Sequence, residues 1–216
     1  MGPEPESFND PFDTNTDNYL EELSLETIEN IARNGFPQIK NINPSDHPAI
    51  VRTLHEGFVK QAMKFGILSM TEDCGSTLMW AHYANGHRGF CMEFGRTLNS
   101  LLGDHAWTKP VSYWRLCPVL DNKNQWDQYL EAFGPDLEQL IFVKAEEWRY
   151  EREWRSVYRS VNCLADYPGP LKSIIWGLCM DEKDKVKIRA SAERSNVIFK
   201  QAKTARGEFR IAIDTD

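Results

Sequence analysis

No run of apolar residues in this 216-residue chain approaches the ~20 needed to cross a bilayer. The longest, residues 174–180, is already broken by Gly177, so a membrane span is excluded and no membrane partner is expected. The chain opens without a basic stretch leading into an apolar one. Pro3 and Glu6 also spoil a myristoylation signal after Gly2, and a cytoplasmic location is the expectation. Cysteine is sparse and odd in number. Cys74, Cys91, Cys117, Cys163 and Cys179 form no CxxC and no regular spacing, which argues against a disulfide framework and suits a reduced compartment. The GxGxxG, GKS/T, GxSxG and HExxH patterns are all missing, so common nucleotide-fold and hydrolase readings lose their usual support. Internal repeats, low-complexity tracts and long linkers are lacking as well.

Basic residues are missing from the first 30 positions, which carry nine acidic ones. Residues 183–210 reverse this, with nine basic and three acidic side chains, so the formal charge of −7 conceals a dipole. A solvated face is the ordinary reading of such a run; the sharper one is that Lys200, Lys203 and Arg206 attract a phosphate-bearing ligand or nucleic acid.

What remains is the composition of a packed globular protein, 41% hydrophobic with seven Trp, long enough to bury a core without staples. Residues 1–8 read as a disordered lead-in and 9–216 as a single domain. Periodicity and caps predict helices over 19–34, 48–64, 76–85, 136–148 and 181–194. Strands are expected over 65–70, 89–94, 111–114, 154–159 and 174–178, followed by a hairpin around Arg206-Gly207. This irregular alternation predicts an α+β fold with a mixed or antiparallel sheet, flanking helices and a C-terminal β-hairpin.

Several residues invite chemistry. His82 and His87 lie between Cys74 and Cys91, but a spacing of five turns the second histidine about 140° from the first on a helix, and Gly86 ends that helix between them. No metal site is expected. His82 fits a helix end, whereas His87, at a loop that turns into a strand, is better placed for a ligand. Read as a strand, residues 150–155 put Glu151, Glu153 and Arg155 on one face at steps of about 6.6 Å. Glu153 then orients a hydroxyl or stabilises a developing cation, while Arg155 holds a phosphate or fixes the carboxylate. Read as a helix tail, the same residues form i,i+4 ion pairs, Glu151 with Arg155 and Arg149 with Glu153. Lys144, one turn before Trp148 on an apolar stripe, is either a site residue or a snorkelling lysine. Trp80 and Tyr83, three apart on a helix, either pack in the core or stack on a ligand.

Two segments are more particular than composition explains: Leu78 to Phe94, containing WxHYAxxHxGxCxEF, and Lys144 to Arg155, containing KxxxWxYExEWR. With Asn9-Asp10-Pro11-Phe12-Asp13 before them and Ile175-Trp176-Gly177 after, they resemble the bacterial domain-of-unknown-function family DUF2971 over nearly the whole chain. The resemblance implies an intracellular bacterial or phage protein without an established activity. Family members begin with a strand carrying a Lys-Tyr pair, a helix and a second strand before the NDPF turn, so this chain is expected to be shortened at its N-terminus. The family layout is in turn similar to compact mono-ADP-ribosyltransferases of the toxin or phage-defence kind. That similarity implies NAD as the nucleotide ligand, Glu153 as the glutamate that bonds the nicotinamide ribose, and Glu151 as its substitute. Tyr83 and Trp80 would form the aromatic wall, and His82, His87, Lys144 and Arg155 would complete the ligand-binding set. The alternatives are a non-enzymatic binding or regulatory module, and a protein acting on nucleic acid through its basic C-terminal third.

Overall fold

A computed structural model describes residues 26, 49, 65–116, 141–158, 166–193 and 195–215. The lead-in, the NDPF element and the helices expected over 19–34 and 48–64 lie outside these residues, except Glu26 and Ala49, which are both helical. The chain divides into two compact units. One comprises Met1–Leu68, Pro110–Trp148 and Val157–Leu164; the other comprises Ser69–Lys109, Arg149–Ser156 and Ala165–Asp216.

The second unit is built on a four-stranded mixed sheet of order β2-β7-β8-β9. Strand β2 (Phe90–Phe94) runs antiparallel to β7 (Leu171–Trp176), which is parallel to β8 (Ile198–Thr204). A parallel step needs a crossover, and α2 (Glu182–Ser191) supplies it, its first turn capped by Asp181, which accepts the Lys183 N–H. Strand β9 (Ile211–Thr215) closes an antiparallel hairpin on β8, around a turn where Gly207 takes φ 79°.

Side chains alternate across a strand, so consecutive apolar residues of β7 feed two cores. Ile175 packs with Trp80 and Ala84 from α1 (Thr77–Tyr83) and its C-cap, and with Ala202 and Ile211. Ile174 and Trp176 pack with Met180, and with Ile188 and Ala192 at the end of α2. Trp176 is fully buried, stacks on Phe199 at 5.1 Å between centroids, and lies under the Arg189 guanidinium at 5.7 Å. Each large apolar side chain so buried contributes about 1.5–3 kcal/mol.

In the first unit, β4 (Ser112–Trp114) pairs in parallel with β5 (Val143–Ala145), and the Ser112 N–H donates to the Phe142 carbonyl at 2.7 Å. Here the helix expected over 136–148 is overturned in its second half. Residues 136–140 lie outside the described ones and Ile141 is helical, but Phe142 is a bend, followed by strand β5 and then a 3-10 helix, Glu146–Glu151. Within β5 the adjacent Val143 and Lys144 are both buried, which fits a strand covered on both faces and not a helix with a single apolar stripe.

The strands of a third sheet, of order β1-β6-β3, are β1 (Gly66–Thr71), β6 (Glu153–Tyr158) and β3 (Thr108–Pro110). The α+β expectation holds: helices accompany several mixed and antiparallel sheets, and the C-terminal hairpin is in place. Among the described residues no helix is long and apolar enough to cross a membrane.

Candidate functional site

The two motif segments meet in the second unit. Helix α1 starts at Ser76, whose hydroxyl accepts the Met79 N–H, and it presents His82 and Tyr83 on its last turn. The 3-10 helix before β6 ends in Tyr150 and Glu151, and Thr71 at the end of β1 donates its hydroxyl to the Glu151 carbonyl at 2.7 Å, fixing that backbone. The half-exposed Tyr83 then donates its phenol to the Glu151 carboxylate at 2.5 Å, short even for a charge-assisted bond. Glu151 itself is 2% exposed. The His82 ring lies edge-on to Tyr83 at 6.2 Å and tilted against Tyr150 at 6.4 Å between centroids. The half-exposed Tyr83 thus bonds the buried Glu151 carboxylate, and His82 lies against the rings of Tyr83 and Tyr150.

Glu153, two residues on, has a different environment. It accepts Arg155 Nε at 2.7 Å and Arg155 Nη2 at 3.1 Å, a bidentate pair in which neither side chain is more than 5% exposed. The strand reading of residues 153–155 therefore stands. The continuous helix tail is overturned, because Arg152, at φ 46°, follows the 3-10 helix and the strand starts at Glu153; the strand reading fails for 150–152, so Glu151 lies outside the alternation of β6. Of the two roles expected for Arg155, fixing the carboxylate is the one observed. Arg152 turns outward to Glu72 at 2.5 Å, and Glu72 also accepts the Trp154 indole N–H at 3.1 Å.

The other expected site residues are dispersed. Trp80 is 4% exposed in the core, its indole N–H bonded to the Cys74 carbonyl at 2.8 Å. Lys144 belongs to the first unit, where it is buried with its ammonium 4.9 Å from the Trp148 ring centroid, so it does not snorkel. His87 follows α1 in the loop Asn85-Gly86-His87, three successive residues with φ of 49°, 59° and 66°. Its backbone is committed to packing: the His87 N–H donates to the Trp80 carbonyl, and its own carbonyl accepts the Cys179 N–H at 2.9 Å. Its Nδ1 is buried without a hydrogen-bond partner.

This loop explains two glycines of the motifs. A Cβ on Gly177 would stand 2.3 Å from the His87 carbonyl oxygen and 2.7 Å from that of Gly89; one on Gly89 would press on the Ala84 backbone at 3.1 Å. The HxG and IWG elements are two backbones in contact, with the Gly177 N–H bonded to the Gly89 carbonyl at 2.9 Å. Much of the first motif is therefore architecture, and His82 and Tyr83 are its outward part.

The match to known proteins covers the same ground. Residues 79–156 match the model of the family described as protein of unknown function DUF2971. Over this stretch the chain is similar to the DUF2971 family. The matched stretch holds both ends of the Tyr83–Glu151 contact, while the IWG element lies beyond it. No curated protein and no solved structure matches this chain.

Electrostatics separate the inward groups from the outward ones. Burial pushes the Cys91 thiol up to about 11, with Cys74 and Glu93 adding to the shift, whereas Cys74 and Cys179 are exposed. Hydrogen bonds from Lys200 and Ser173 hold the Glu93 carboxyl below the usual range, against a smaller opposing effect of burial. Five of the nine basic residues of 183–210 are ion-paired: Lys185 with Glu182, Lys187 with Asp184, Lys200 with Glu93, Lys203 with Asp214 and Arg210 with Asp73. Among the described residues no three of His, Cys, Asp and Glu gather into a metal cluster.

Sequence reasoning placed the carboxylate at Glu153 first and passed over Tyr150 and Thr71. The signal for Tyr150 was available, since it immediately precedes Glu151 within the motif. Nothing in the sequence connected Thr71 to Glu151, 80 positions away.

Proposed function

We propose that this protein is an ADP-ribosyltransferase-like enzyme whose functional carboxylate is Glu151 and whose aromatic wall is His82, Tyr83 and Tyr150. The observation that carries the reading is the 2.5 Å bond from the half-exposed Tyr83 phenol to the buried Glu151 carboxylate, where the two motifs meet. A carboxylate flanked by aromatic rings suits a substrate with a planar cationic ring next to a hydroxylated sugar, as in the nicotinamide riboside half of NAD. In the transfer, the acceptor's lone pair bonds to the anomeric carbon while the carbon–nitrogen glycosidic bond breaks. That bonding pair returns to the nicotinamide nitrogen and cancels its positive charge. The acceptor's proton passes to the Glu151 carboxylate through the Tyr83 hydroxyl. Glu151 also opposes the positive charge that develops on the sugar, and the Glu153–Arg155 pair holds the strand that follows.

Chromatography of nicotinamide released from NAD tests this. Glu151→Gln is expected to lower release about 100-fold or more, the range of a general base, and Tyr83→Phe by less, both with little change in melting temperature. An absence of both nicotinamide release and any NAD-induced rise in melting temperature overturns the reading.

A second reading, a non-enzymatic binding module, is favoured by the bidentate burial of Glu153 on Arg155, which makes the centre of the YExEWR element an internal support. Saturable NAD binding without turnover, weakened by Tyr83→Ala, is its expected signature.

A further inference from the structure

Trp154 is fixed at its edge and covered on its face. Its indole N–H is bonded to Glu72, the Arg96 guanidinium carbon lies 4.8 Å from its ring centroid, and Arg96 Nη2 is 3.2 Å from His105 Nδ1. A guanidinium only donates, so Nδ1 is the acceptor and the ring proton of His105 sits on Nε2, a second N–H donor on an exposed residue.

Arg96 differs from the ion-paired cations of its unit. In the same unit Arg152, Arg155, Lys185, Lys187, Lys200, Lys203 and Arg210 each have a carboxylate. Arg96 has none among the described residues: its two engagements are an indole face and a neutral imidazole. Glu72 is already shared by Arg152 and Trp154, whose hydrogen bonds hold its carboxyl below the usual range. Asp104, beside His105, is occupied in its own turn, accepting the Ala106 N–H at 2.9 Å. Arg96 is thus an exposed cation whose orientation is set before any ligand arrives, and prior ordering removes much of the entropic cost of binding.

We propose that Arg96, with His105, forms an anion site that takes a phosphate group. Stacking on Trp154 leaves the guanidinium edge free to offer parallel N–H donors to two phosphate oxygens, and His105 Nε2–H supplies another. The site uses neither Tyr83 nor Glu151 and does not depend on ADP-ribosyl transfer.

The test is a titration with inorganic pyrophosphate at constant ionic strength, following the Trp154 indole and Arg96 Nε–H signals by NMR. Saturable shifts are expected. Arg96→Gln should weaken binding about tenfold or more, and Arg96→Lys, which keeps the charge but loses the fork, should weaken it by less. Lys183→Gln, at an exposed lysine of α2, should leave binding unchanged. Tighter binding of ADP-ribose than of pyrophosphate would mark a nucleotide as the source of the phosphate, and equal binding a free phosphate. Non-saturating shifts of equal slope in the wild-type chain and Arg96→Gln, or equal weakening by Arg96→Gln and Lys183→Gln, would overturn the proposal. Failure of NAD turnover would leave it standing.

Discussion

Glu151 and Glu153 lie two residues apart in one motif, are almost equally buried, and accept hydrogen bonds from groups of different kinds. Glu153 faces a guanidinium that is itself fully buried; Glu151 faces a phenol that is half in solvent. A buried carboxylate held by a buried cation on the same strand is expected to act as a support for β6. A buried carboxylate held by a surface phenol remains connected to whatever meets that phenol. The same division runs through the first motif, where Trp80, Gly89 and the His87 backbone face inward while His82 and Tyr83 face outward. Motif membership alone therefore does not separate chemistry from architecture; the partner of each side chain does.

The comparison is most readily broken on its inward half. Arg155→Ala strands the Glu153 charge and should cost about 3–5 kcal/mol of stability in urea denaturation, whereas the joint change of Glu153→Leu with Arg155→Met should be close to neutral. A loss below about 1 kcal/mol for Arg155→Ala would mean that the pair is not a support. Gly177→Ala drives a Cβ into the His87 and Gly89 carbonyls and should cost about 1–3 kcal/mol by overpacking, read as a lowered melting temperature. Gly89→Ala, with a looser contact, should cost less.

The outward half should respond weakly in stability. Tyr83→Phe removes one hydrogen bond to Glu151 and should cost about 1 kcal/mol, clearly below the loss for Arg155→Ala in the same assay. Cysteines sharpen the contrast through reactivity. With its thiol raised to about 11, Cys91 should be alkylated by iodoacetamide at pH 8 far more slowly than the exposed Cys74 and Cys179, as site-resolved mass spectrometry would show. Comparable rates at Cys91 and Cys74 would refute the burial assigned to Cys91.

The smallest effect concerns Glu93, whose side chain is 45% exposed. Its carboxyl is lowered from 4.5 in the folded protein, so its contribution is present above that value and fades as the pH falls through the lowered one. Glu93→Gln should therefore cost about 0.5 kcal/mol or less at neutral pH, with the difference vanishing in strong acid, as paired denaturation curves would show.

Periodicity and caps located most of the described elements. Ser76 as a cap, Asn85-Gly86 as a helix stop and Asp181 at the start of α2 are local chemistry, written in a few adjacent residues. The failure over 142–148 has the opposite cause: a buried strand and a buried helix face look alike over a few apolar residues, and pairing of Val143–Ala145 with Ser112–Trp114 decided the matter. The site divides in the same way. The sequence marked His82, Tyr83 and Glu151 as chemically suggestive, but it ranked Glu153 higher because alternation assigns a face and not a partner.

The order and type of the local elements, the two motifs and the family that they resemble were thus determined by the sequence itself, because caps, turns and alternation act over a handful of bonds. Only the tertiary structure decided that Tyr83 meets Glu151 and that Glu153 is matched by Arg155. It alone also left Arg96 oriented without a carboxylate. Those outcomes depend on contacts between residues as many as 68 positions apart, and a buried charge or hydrogen-bond donor takes its character from the partner packed against it.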